Sequence, residues 1–371
     1  MSHPLTIKKK ICIVTSSLGK GGAEKSSASL SKMLFDKGYD VHIVSVLNKI
    51  EFSYSGTLFN LGAIKDTNDT VVGRIYRLIQ FIKYLNNNQF DCIIDSRSRV
   101  AAFREFFITV FVYASRPVIY VIHNYKTSHA FSDFNWLSRR LYKNKKMIAV
   151  SEEAKNKFKS KFNLSDISTI YNAYDFETNV KNSAQKDISS PKIDNYILFF
   201  GRIDDQHKNL KLLLNSYKSS KLSSLGYKLV ILGNGPDLNM IKEVSKQMEL
   251  ESEVVFIAAV TDPSLYVSNA KFTVLTSRNE GFPMVLIESL SLGTPVVSMN
   301  CKSGPKEIIT NEHNGLLVDT YTEVAFSEAM NRLVNDEVLY THCRKNSKKS
   351  VEKFSMENIS KDWERIIENL P

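Results

Sequence analysis

The chain has 371 residues, of which 43% are hydrophobic and 24% are charged, and it contains 4 cysteines. This length exceeds what one hydrophobic core usually organises, so we expect two globular domains. No stretch offers the roughly 18 uncharged apolar residues of a membrane span, and the apolar run after the basic N-terminus is too short for a signal peptide. The cysteines lack metal or redox spacing, which favours a reduced, cytoplasmic protein.

Positive charge is concentrated in the first half of the chain. Residues 1–180 carry 26 Lys and Arg against 15 Asp and Glu, whereas the remainder carries 23 against 24. One group, here called the basic cluster, consists of Arg139, Arg140, Lys143, Lys145 and Lys146. Aromatic and leucine side chains interleave with it, which suits anionic lipid headgroups, a pyrophosphate-bearing acceptor or nucleic acid. The alternative interpretation is a solvated face that favours solubility.

In the first half, short apolar runs alternate with segments of helical period. The predicted strands are Ile11–Thr15, Val41–Val46, Cys92–Asp95, Val118–Ile122 and Met147–Val150. The predicted helices are Gly22–Lys37, Val71–Asn86, Ala101–Tyr113 and Phe134–Tyr142. Strands that alternate with helices predict a parallel sheet with helices on both faces.

The same rhythm returns after residue 195. Its predicted strands are Tyr196–Phe200, Lys228–Leu232, Val254–Ile257, Phe272–Leu275, Pro295–Ser298 and Leu316–Val318. Its predicted helices are Leu210–Ser219, Leu238–Met248, Pro283–Leu292 and Glu323–Asn335, and Glu357–Leu370 is predicted as an amphipathic C-terminal helix. We therefore predict two doubly wound α/β domains, residues 1–178 and 195–354, facing a cleft and joined by a polar linker at 179–194. The C-terminal helix, within 355–371, should pack back on the first domain.

The segment Arg278–Glu288 is the most informative motif. It places Glu280 on a loop after a predicted strand and Glu288 about two turns along the following helix. The amides at the start of that helix should attract phosphate, and the two carboxylates could bind sugar and ribose hydroxyls. The alternative is an ordinary acidic helix start with a second acid on the solvated face.

Three further motifs follow predicted strands. Gly21 and Gly22 open the first helix, but Glu24 stands where a dinucleotide fingerprint needs its last glycine, so NAD binding is disfavoured; the alternative is a plain turn. Arg202 and Lys208 bracket a polar loop, and two cations at a helix start favour a bound diphosphate over a solvated loop. His123 ends a strand, where it is either a substrate hydrogen-bond partner or a structural histidine.

The ordered set of these motifs resembles the retaining, nucleotide-sugar-dependent family 4 (group 1) glycosyltransferases of the GT-B fold. The matching pieces are Gly21-Gly22-Ala23-Glu24, His123, Val150-Ser151-Glu152, Asn172, Gly201-Arg202 with Lys208, Gly233-Asn234-Gly235, Glu280-Gly281-Phe282-Pro283 with Glu288, Gly293-Thr294-Pro295-Val296-Val297, Ser303-Gly304-Pro305 with Glu307, and Asn314-Gly315-Leu316. They keep the family's order and spacing over nearly the whole chain. Lys208 comes one residue later than in many members, and Ala258-Ala259 stands where members often carry Gly.

The resemblance implies a role for each matched position. Arg202 and Lys208 would neutralise the diphosphate leaving group, Glu288 would hold the ribose, Glu280 would hold sugar hydroxyls and His123 would touch the donor sugar. The implied donor-binding set is Gly21, Gly22, Arg202, Lys208, Asn234, Gly235, Glu280, Gly281, Phe282, Pro283, Met284, Val285, Leu286 and Glu288. The implied catalytic set is His123, Glu280, Arg202 and Lys208, with no metal ligands and no cofactor besides the nucleotide-sugar substrate.

The implied activity is transfer of a hexose or N-acetylhexosamine, most simply from a UDP-sugar, to a lipid-linked, lipopolysaccharide or capsule acceptor. The basic cluster would face that acceptor or the inner face of the cytoplasmic membrane. Because no Asp-x-Asp occurs in the sequence, we expect transfer without a metal ion. The resemblance implies front-face attack, and Glu280 is expected to bind hydroxyls rather than to act as a nucleophile. Two other hypotheses stay open: a sugar-nucleotide epimerase or phosphorylase on the same scaffold, and a nucleic-acid-binding module suggested only by charge.

Overall fold

The computed structural model describes residues 8–19, 21–67, 69–176 and 193–370. The chain folds into two compact units. Unit 1 comprises Met1–Ala173 and Met356–Pro371, and unit 2 comprises Tyr174–Ser355. Most of the predicted linker, residues 179–194, lies outside the described residues.

Unit 1 is built on a seven-stranded parallel sheet. Its strands are β1 (Lys10–Thr15), β2 (Asp40–Ser45), β3 (Thr57–Asn60), β4 (Cys92–Asp95), β5 (Val118–Ile122), β6 (Lys146–Ala149) and β7 (Ile167–Thr169). The order across the sheet is β3-β2-β1-β4-β5-β6-β7. The sequence of alternating strands and helices therefore folds as predicted, and the order reverses between β1 and β4, which is where open α/β sheets bind ligands.

Helices connect these strands. They are α1 (Gly22–Asp36), α2 (Leu61–Thr67), α3 (Val71–Asn88), α4 (Ala102–Phe107), α5 (Thr127–Ala130), α6 (Asn135–Tyr142) and α7 (Glu152–Phe162). The apolar segment predicted as one helix, Ala101–Tyr113, divides into α4 and a π-helical turn at Ile108–Val112. The sequence pattern does not predict β3 and β7, because none of their residues is fully buried and the apolar run that marks a central strand is absent.

Unit 2 holds a six-stranded parallel sheet. Its strands are β8 (Tyr196–Phe200), β9 (Lys228–Leu232), β10 (Val254–Ile257), β11 (Thr273–Leu275), β12 (Val296–Met299) and β13 (Gly315–Val318), in the order β10-β9-β8-β11-β12-β13. The helices are α8 (Asp205–Lys208), α9 (Leu210–Lys218), α10 (Leu238–Gln247), α11 (Ser264–Asn269), α12 (Met284–Ser291), α13 (Pro305–Ile308), α14 (Glu323–Asn335) and α15 (Glu337–Val351), followed by a 3-10 turn at Glu352–Phe354. Here the strand order reverses between β8 and β11.

The C-terminal helix α16 (Met356–Glu368) belongs to unit 1, as the amphipathic pattern predicted. It buries Ile359, Trp363 and Ile367, while Ile366 and Leu370 remain half-buried. The helix packs against α1, and Lys8 Nζ lies 3.0 Å from Glu364 Oε1. The apolar stripe of α16 therefore completes the core of the first unit although the chain has by then passed through the second.

Within the described ranges, no helix combines the length and apolarity that crossing a lipid bilayer would require.

Candidate active site

The strand reversal in unit 2 brings together the loops that follow β8 and β11. Lys208 ends α8 in the first loop, and Glu280 lies in the second. The Lys208 ammonium donates to Glu280 Oε1 at 2.7 Å, and the Ser277 hydroxyl donates to the same oxygen at 2.6 Å. Both side chains of the ion pair are largely buried, with 20% and 13% of their surface exposed. Two predicted site residues are therefore in direct contact. Lys208, which the sequence interpretation assigned only to phosphate, also forms an ion pair with Glu280.

The loop that carries Glu280 is held on both sides. The Glu280 amide donates to the carbonyl of Lys302 at 2.7 Å, and the Ser303 hydroxyl donates to the Gly281 carbonyl at 3.0 Å. The hydroxyl of Tyr321 donates to the carbonyl of Ser277 at 2.8 Å. Because these bonds fix the backbone on either side, the Glu280 carboxylate is preorganised before any ligand arrives.

Helix α12 begins directly after this loop. Its N-cap is Pro283, and no side chain caps it, so the backbone N–H groups of the first turn, among them those of Met284 and Val285, have no capping side chain. Glu288 is the fifth residue of α12, so it lies about one turn along the helix rather than the two turns expected. Burial and the negative charge of Glu288 both raise the pKa of Tyr174.

Two glycine turns line the neighbouring strand ends. Gly201 follows β8, and Gly233 follows β9 with φ at +155°. A Cβ on Gly233 would lie 1.9 Å from the Gly201 carbonyl oxygen, and a Cβ on Gly235 would lie 2.0 Å from that of Ile203. The close approach of these two turns requires glycine, and it exposes Asn234 between them.

The environment of Arg202 differs from the predicted helix start. The helical turn α8 begins at Asp205 with Asp204 as its N-cap, and Lys208 stands in its last turn, where a cation is favoured by the dipole. The helix predicted after this loop does follow it as α9, so Lys208 lies at the end of α8 and also just ahead of the start of α9. Arg202 is largely exposed, with 71% of its side chain accessible, and its Nε lies 3.7 Å from Asp204 Oδ2.

Unit 1 has a second cluster of polar side chains near its own strand reversal, between β1 and β4. His123, at the end of β5, lines a small cavity of about 50 Å³ together with the ends of β1 and β4 and the start of α1. Both ring nitrogens of His123 are buried without a hydrogen-bond partner among the described residues. Burial, aided by the positive charge of Arg99, lowers the pKa of His123 to about 4. A neutral imidazole with unmet hydrogen bonds is poised to accept a polar ligand group.

The loop after β4 supplies buried charges that the sequence interpretation missed. Asp95 accepts from the Arg97 guanidinium at 2.7 Å and from the Tyr113 hydroxyl at 3.1 Å. Burial alone would raise the pKa of Asp95, but the attraction of Arg97 holds it below its usual value. Arg99, 1% exposed, donates to the carbonyls of Arg97 and Val121 and stacks near three aromatic rings. The signal that could have found them is a polar run, Asp95 to Arg99, directly after a buried strand at the reversal point.

The glycines at the start of α1 are not an open anion site. Gly21 has φ at +153°, and a Cβ on it would lie 2.1 Å from Glu24 Oε2. The carboxylate of Glu24 therefore lies beside the helix start that was expected to attract phosphate, where it interacts favourably with the dipole. Gly22 has open space around its α-carbon.

The basic cluster lies at the opposite edge of the unit 1 sheet from His123. Arg139 and Arg140 end α6, and Lys146 begins β6, so the cluster borders the amino ends of the strands. Arg139 donates to the Lys161 carbonyl at 3.0 Å, and Lys146 lies 2.8 Å from Asp166. Arg140 and Lys143 are exposed, whereas Lys145 is half-buried. Of the interleaved aromatic residues, Trp136 is exposed but Tyr142 belongs to the core.

Among the residues that the structure describes, no three His, Cys, Asp or Glu side chains form a group that could hold a metal ion.

Comparisons with known proteins match both units. A family model described as glycosyl transferases group 1 matches residues 180–350, and one described as glycosyltransferase family 4 matches residues 20–178. The amylovoran biosynthesis glycosyltransferase AmsD of Erwinia amylovora is 27% identical over 361 residues, which cover 97% of this chain and 99% of AmsD. The "N-acetylgalactosamine-N,N'-diacetylbacillosaminyl-diphospho-undecaprenol 4-alpha-N-acetylgalactosaminyltransferase" of Campylobacter jejuni is 26% identical, covering 95% of this chain and 98% of the relative.

Solved structures agree on the fold. Anabaena HepE in complex with UDP and glucose superposes with a TM-score of 0.76 at 16% identity, covering 97% of this chain and 100% of HepE. A Staphylococcus aureus TarM variant in complex with UDP and two sugar compounds superposes with a TM-score of 0.74 at 16% identity, covering 97% and 99%. The two family models together cover residues 20–178 and 180–350, which include all the motifs described above. The chain therefore belongs to the group 1, family 4 glycosyltransferases of the GT-B fold.

Proposed function

We propose that this glycosyltransferase moves a hexose or N-acetylhexosamine from a UDP-linked donor to a cell-envelope glycan acceptor. The observation that supports it most directly is the unit 2 strand reversal, where Lys208, Glu280 and the uncapped start of α12 meet. A cation, exposed backbone amides and a carboxylate at one sheet edge match the charges of a sugar nucleotide. Relatives with known names act on cell-envelope glycans, among them amylovoran and a diphospho-undecaprenol-linked sugar.

The donor's diphosphate would lie against the start of α12. Negative charge grows on the leaving phosphate as the glycosidic bond breaks, and preorganised N–H groups and cations stabilise such charge. The amides of Met284 and Val285 would bind this phosphate, and Lys208 and Arg202 would add positive charge. Arg202 is exposed, so it can turn toward the diphosphate without breaking a buried contact. On this proposal the reaction needs no metal cofactor.

The hydroxyls of the donor would be held by the two carboxylates. Oε1 of Glu280 already accepts from Lys208 and Ser277, so Oε2 is the oxygen left for a sugar hydroxyl. Glu288, one turn along α12, would hold the ribose. We propose retention by front-face attack, in which a leaving phosphate oxygen takes the proton of the acceptor hydroxyl. His123, neutral at physiological pH, would hydrogen-bond the donor sugar near its reacting carbon.

The acceptor would be lipid-linked, a lipopolysaccharide or a capsule precursor. The excess positive charge of residues 1–180 suits an anionic membrane surface, and we propose that the protein works at the inner face of the cytoplasmic membrane. The basic cluster would take part through its exposed members, Arg140 and Lys143.

A thermal-shift screen of nucleotide sugars followed by a transfer assay tests this proposal. A UDP-sugar that binds the folded protein should raise its melting temperature, because binding shifts unfolding by mass action. The same UDP-sugar should then label a polyprenyl-diphosphate-linked sugar acceptor. Stabilisation only by other nucleotides would overturn the choice of UDP. Epimerisation of the donor without acceptor, or phosphate-dependent release of a sugar phosphate, would replace transfer with one of the other two activities.

A further inference from the structure

Unit 1 contains a large apolar cavity that the donor site does not use. It has a volume of about 690 Å³, within the range of about 300–1,000 Å³ typical of small-molecule sites. Its apolar walls come from the ends of β1 and β2, from α2 and α3, and from the α4–π-helix segment. Those walls are formed by Val14, Val44, Val46, Leu47, Leu61, Leu78, Phe81, Phe107 and Ile108.

The two helices beside this cavity expose large apolar side chains. On α3 these are Val71, Val72, Ile75, Tyr76 and Ile79, and on the α4–π-helix segment they are Phe103, Phe106, Phe107, Val110 and Phe111. Phe103 is 86% exposed and Val72 is 72% exposed. Soluble proteins seldom expose apolar side chains in such concentration unless the surface meets a lipid or a partner. The exposed faces of α3 and α4 therefore extend the apolar character of the cavity toward the surface.

Cations surround the cavity in excess of acids. Lys65, Arg74, Arg77, Arg97 and Arg104 line it, and Asp69 is the one acid among the lining residues. Arg77 lies 3.1 Å from Asp69 Oδ1 and Arg74 lies 3.8 Å from the same oxygen, so one carboxylate serves two guanidinium groups. Arg97 and Arg104 likewise share Glu105. An apolar interior with a cationic rim is complementary to an amphiphile with an anionic head.

The cavity is also a neighbour of the pocket that holds His123. Arg97 lines both, because it follows β4 at the strand reversal between them. Arg97 and Arg104 share Glu105, so an amphiphile with its chain in the larger cavity and its head at Arg104 would have that head near the smaller one. That is the order needed if a sugar attached to the head is to approach His123.

We propose that the large cavity of unit 1 binds the hydrocarbon chain of a lipid phosphate, with Lys65, Arg74 and Arg104 at the phosphate. This inference relies on the proposed function only in taking that lipid to be the carrier of the acceptor glycan. The exposed apolar faces of α3 and α4 would rest in the membrane from which the lipid enters. A protein segment or a second copy of this chain would not need the arginine rim, so charge favours the lipid.

Calorimetry with farnesyl diphosphate tests the site on the full-length protein without donor. The wild-type protein should bind farnesyl diphosphate, and inorganic pyrophosphate and farnesol should each bind on the order of tenfold more weakly or worse, since each lacks one half of the recognised chemistry. Leu78→Trp should fill the cavity and weaken binding by on the order of tenfold or more, because excluding even two methylene groups has about that effect. Arg74→Gln should weaken binding and reduce its salt dependence.

Matched controls keep the test independent of folding. Asn87→Trp, which is also on α3 but outside both the cavity and the exposed apolar face, should bind like wild type. Val46→Trp narrows the cavity from the end of β2 and should reproduce the effect of Leu78→Trp if that variant unfolds. Undiminished binding of farnesyl diphosphate by both cavity-filling variants would overturn the proposal, and so would equal affinity for pyrophosphate. A third contrary result would be that the wild-type protein is a dimer and that Leu78→Trp dissociates it. UDP binding, measured separately on the wild-type protein and on each variant, reports on the donor site. If the wild-type protein does not bind UDP, that result counts against the proposed function alone.

Discussion

Lys208 and Glu280 are joined by a hydrogen bond of 2.7 Å although they are 72 residues apart in the chain. The bond connects the two loops at the strand reversal of unit 2, where a ligand of this fold class is expected. A donor phosphate would compete with Glu280 for the Lys208 ammonium. The pair can therefore keep the site ordered before the donor binds and share its charge with the diphosphate afterwards.

Lys208→Ala should reduce turnover while leaving the fold intact. Removal of one preorganised group that stabilises a developing anion costs about 2.7–4 kcal/mol of activation free energy, or about 10²–10³ in kcat. Steady-state transfer assays with the best UDP-sugar give the comparison, and Lys211→Ala, a nearby exposed lysine, is the control. Turnover within a few-fold of wild type would mean that Lys208 does not face the leaving group.

Glu288→Gln should weaken donor binding. A carboxylate that accepts from ribose hydroxyls contributes a charge-assisted hydrogen bond, and loss of one costs about 1.5–3 kcal/mol. The Kd for UDP, measured by calorimetry, should rise accordingly, whereas Glu328→Gln on an exposed face of α14 should leave it unchanged. Normal UDP affinity in Glu288→Gln would show that Glu288 does not bind the ribose.

His123 should make stability depend on pH. Its pKa is lowered to about 4 in the folded chain by burial and by Arg99, against about 6.5 when unfolded. Between these two pH values the unfolded chain binds a proton at His123 and the folded chain does not. The free energy of unfolding therefore decreases as pH falls from about 6.5 toward 4, by up to about 3 kcal/mol.

Urea unfolding of His123→Gln at pH 7 and pH 4.5 measures this effect. Because burial also lowers the pKa of His42, the informative quantity is the difference between variant and wild type. The variant should lose less stability than wild type on acidification. Parallel losses would show that His123 is accessible to water.

Gly233→Ala should disrupt unit 2, since the added Cβ would meet the Gly201 carbonyl oxygen at 1.9 Å and the φ of +155° is unfavourable for alanine. Thermal unfolding should show a lower melting temperature and loss of UDP binding. Gly22→Ala is the comparison, because a Cβ there meets nothing within 4 Å and alanine favours a helix by about 1 kcal/mol. Equal stability of the two variants would contradict the tight contact between the turns.

Replacement of Arg140, Lys143 and Lys145 by glutamine should weaken binding to anionic liposomes. Each basic residue near such a surface contributes about 1 kcal/mol, so the triple variant should bind much less tightly in a sedimentation assay at low salt. Arg139 and Lys146 are left in place because both have partners in unit 1. Unchanged sedimentation would show that the basic cluster is a solvated face that does not contribute to membrane binding.

The sequence by itself determined the fold class and most element positions. Strands such as β5 and β9 are largely buried apolar runs, and their ends coincide with the predicted ones. The ordered motifs identified the family, which the comparisons confirmed. These signals are local, because a strand buried on both faces needs consecutive apolar residues and a ligand-binding turn needs glycine at fixed offsets.

Only the tertiary structure decided which side chains meet. The order of strands in a sheet cannot be deduced from hydrophobic periodicity. The contact of Lys208 with Glu280 and the pairing of β1 with β4 were therefore not predictable from the sequence. The buried charges from Asp95 to Arg99 were missed because their burial depends on packing. Asp95 and Arg97 pair with each other, and Tyr113 and the Val121 carbonyl, which are more distant in sequence, supply further partners. Burial, likewise, is a property of packing. It makes His123 a neutral side chain with two unmet hydrogen bonds among the described residues, and it leaves the apolar residues of α3 and α4 exposed around a cavity that no sequence pattern distinguishes from core.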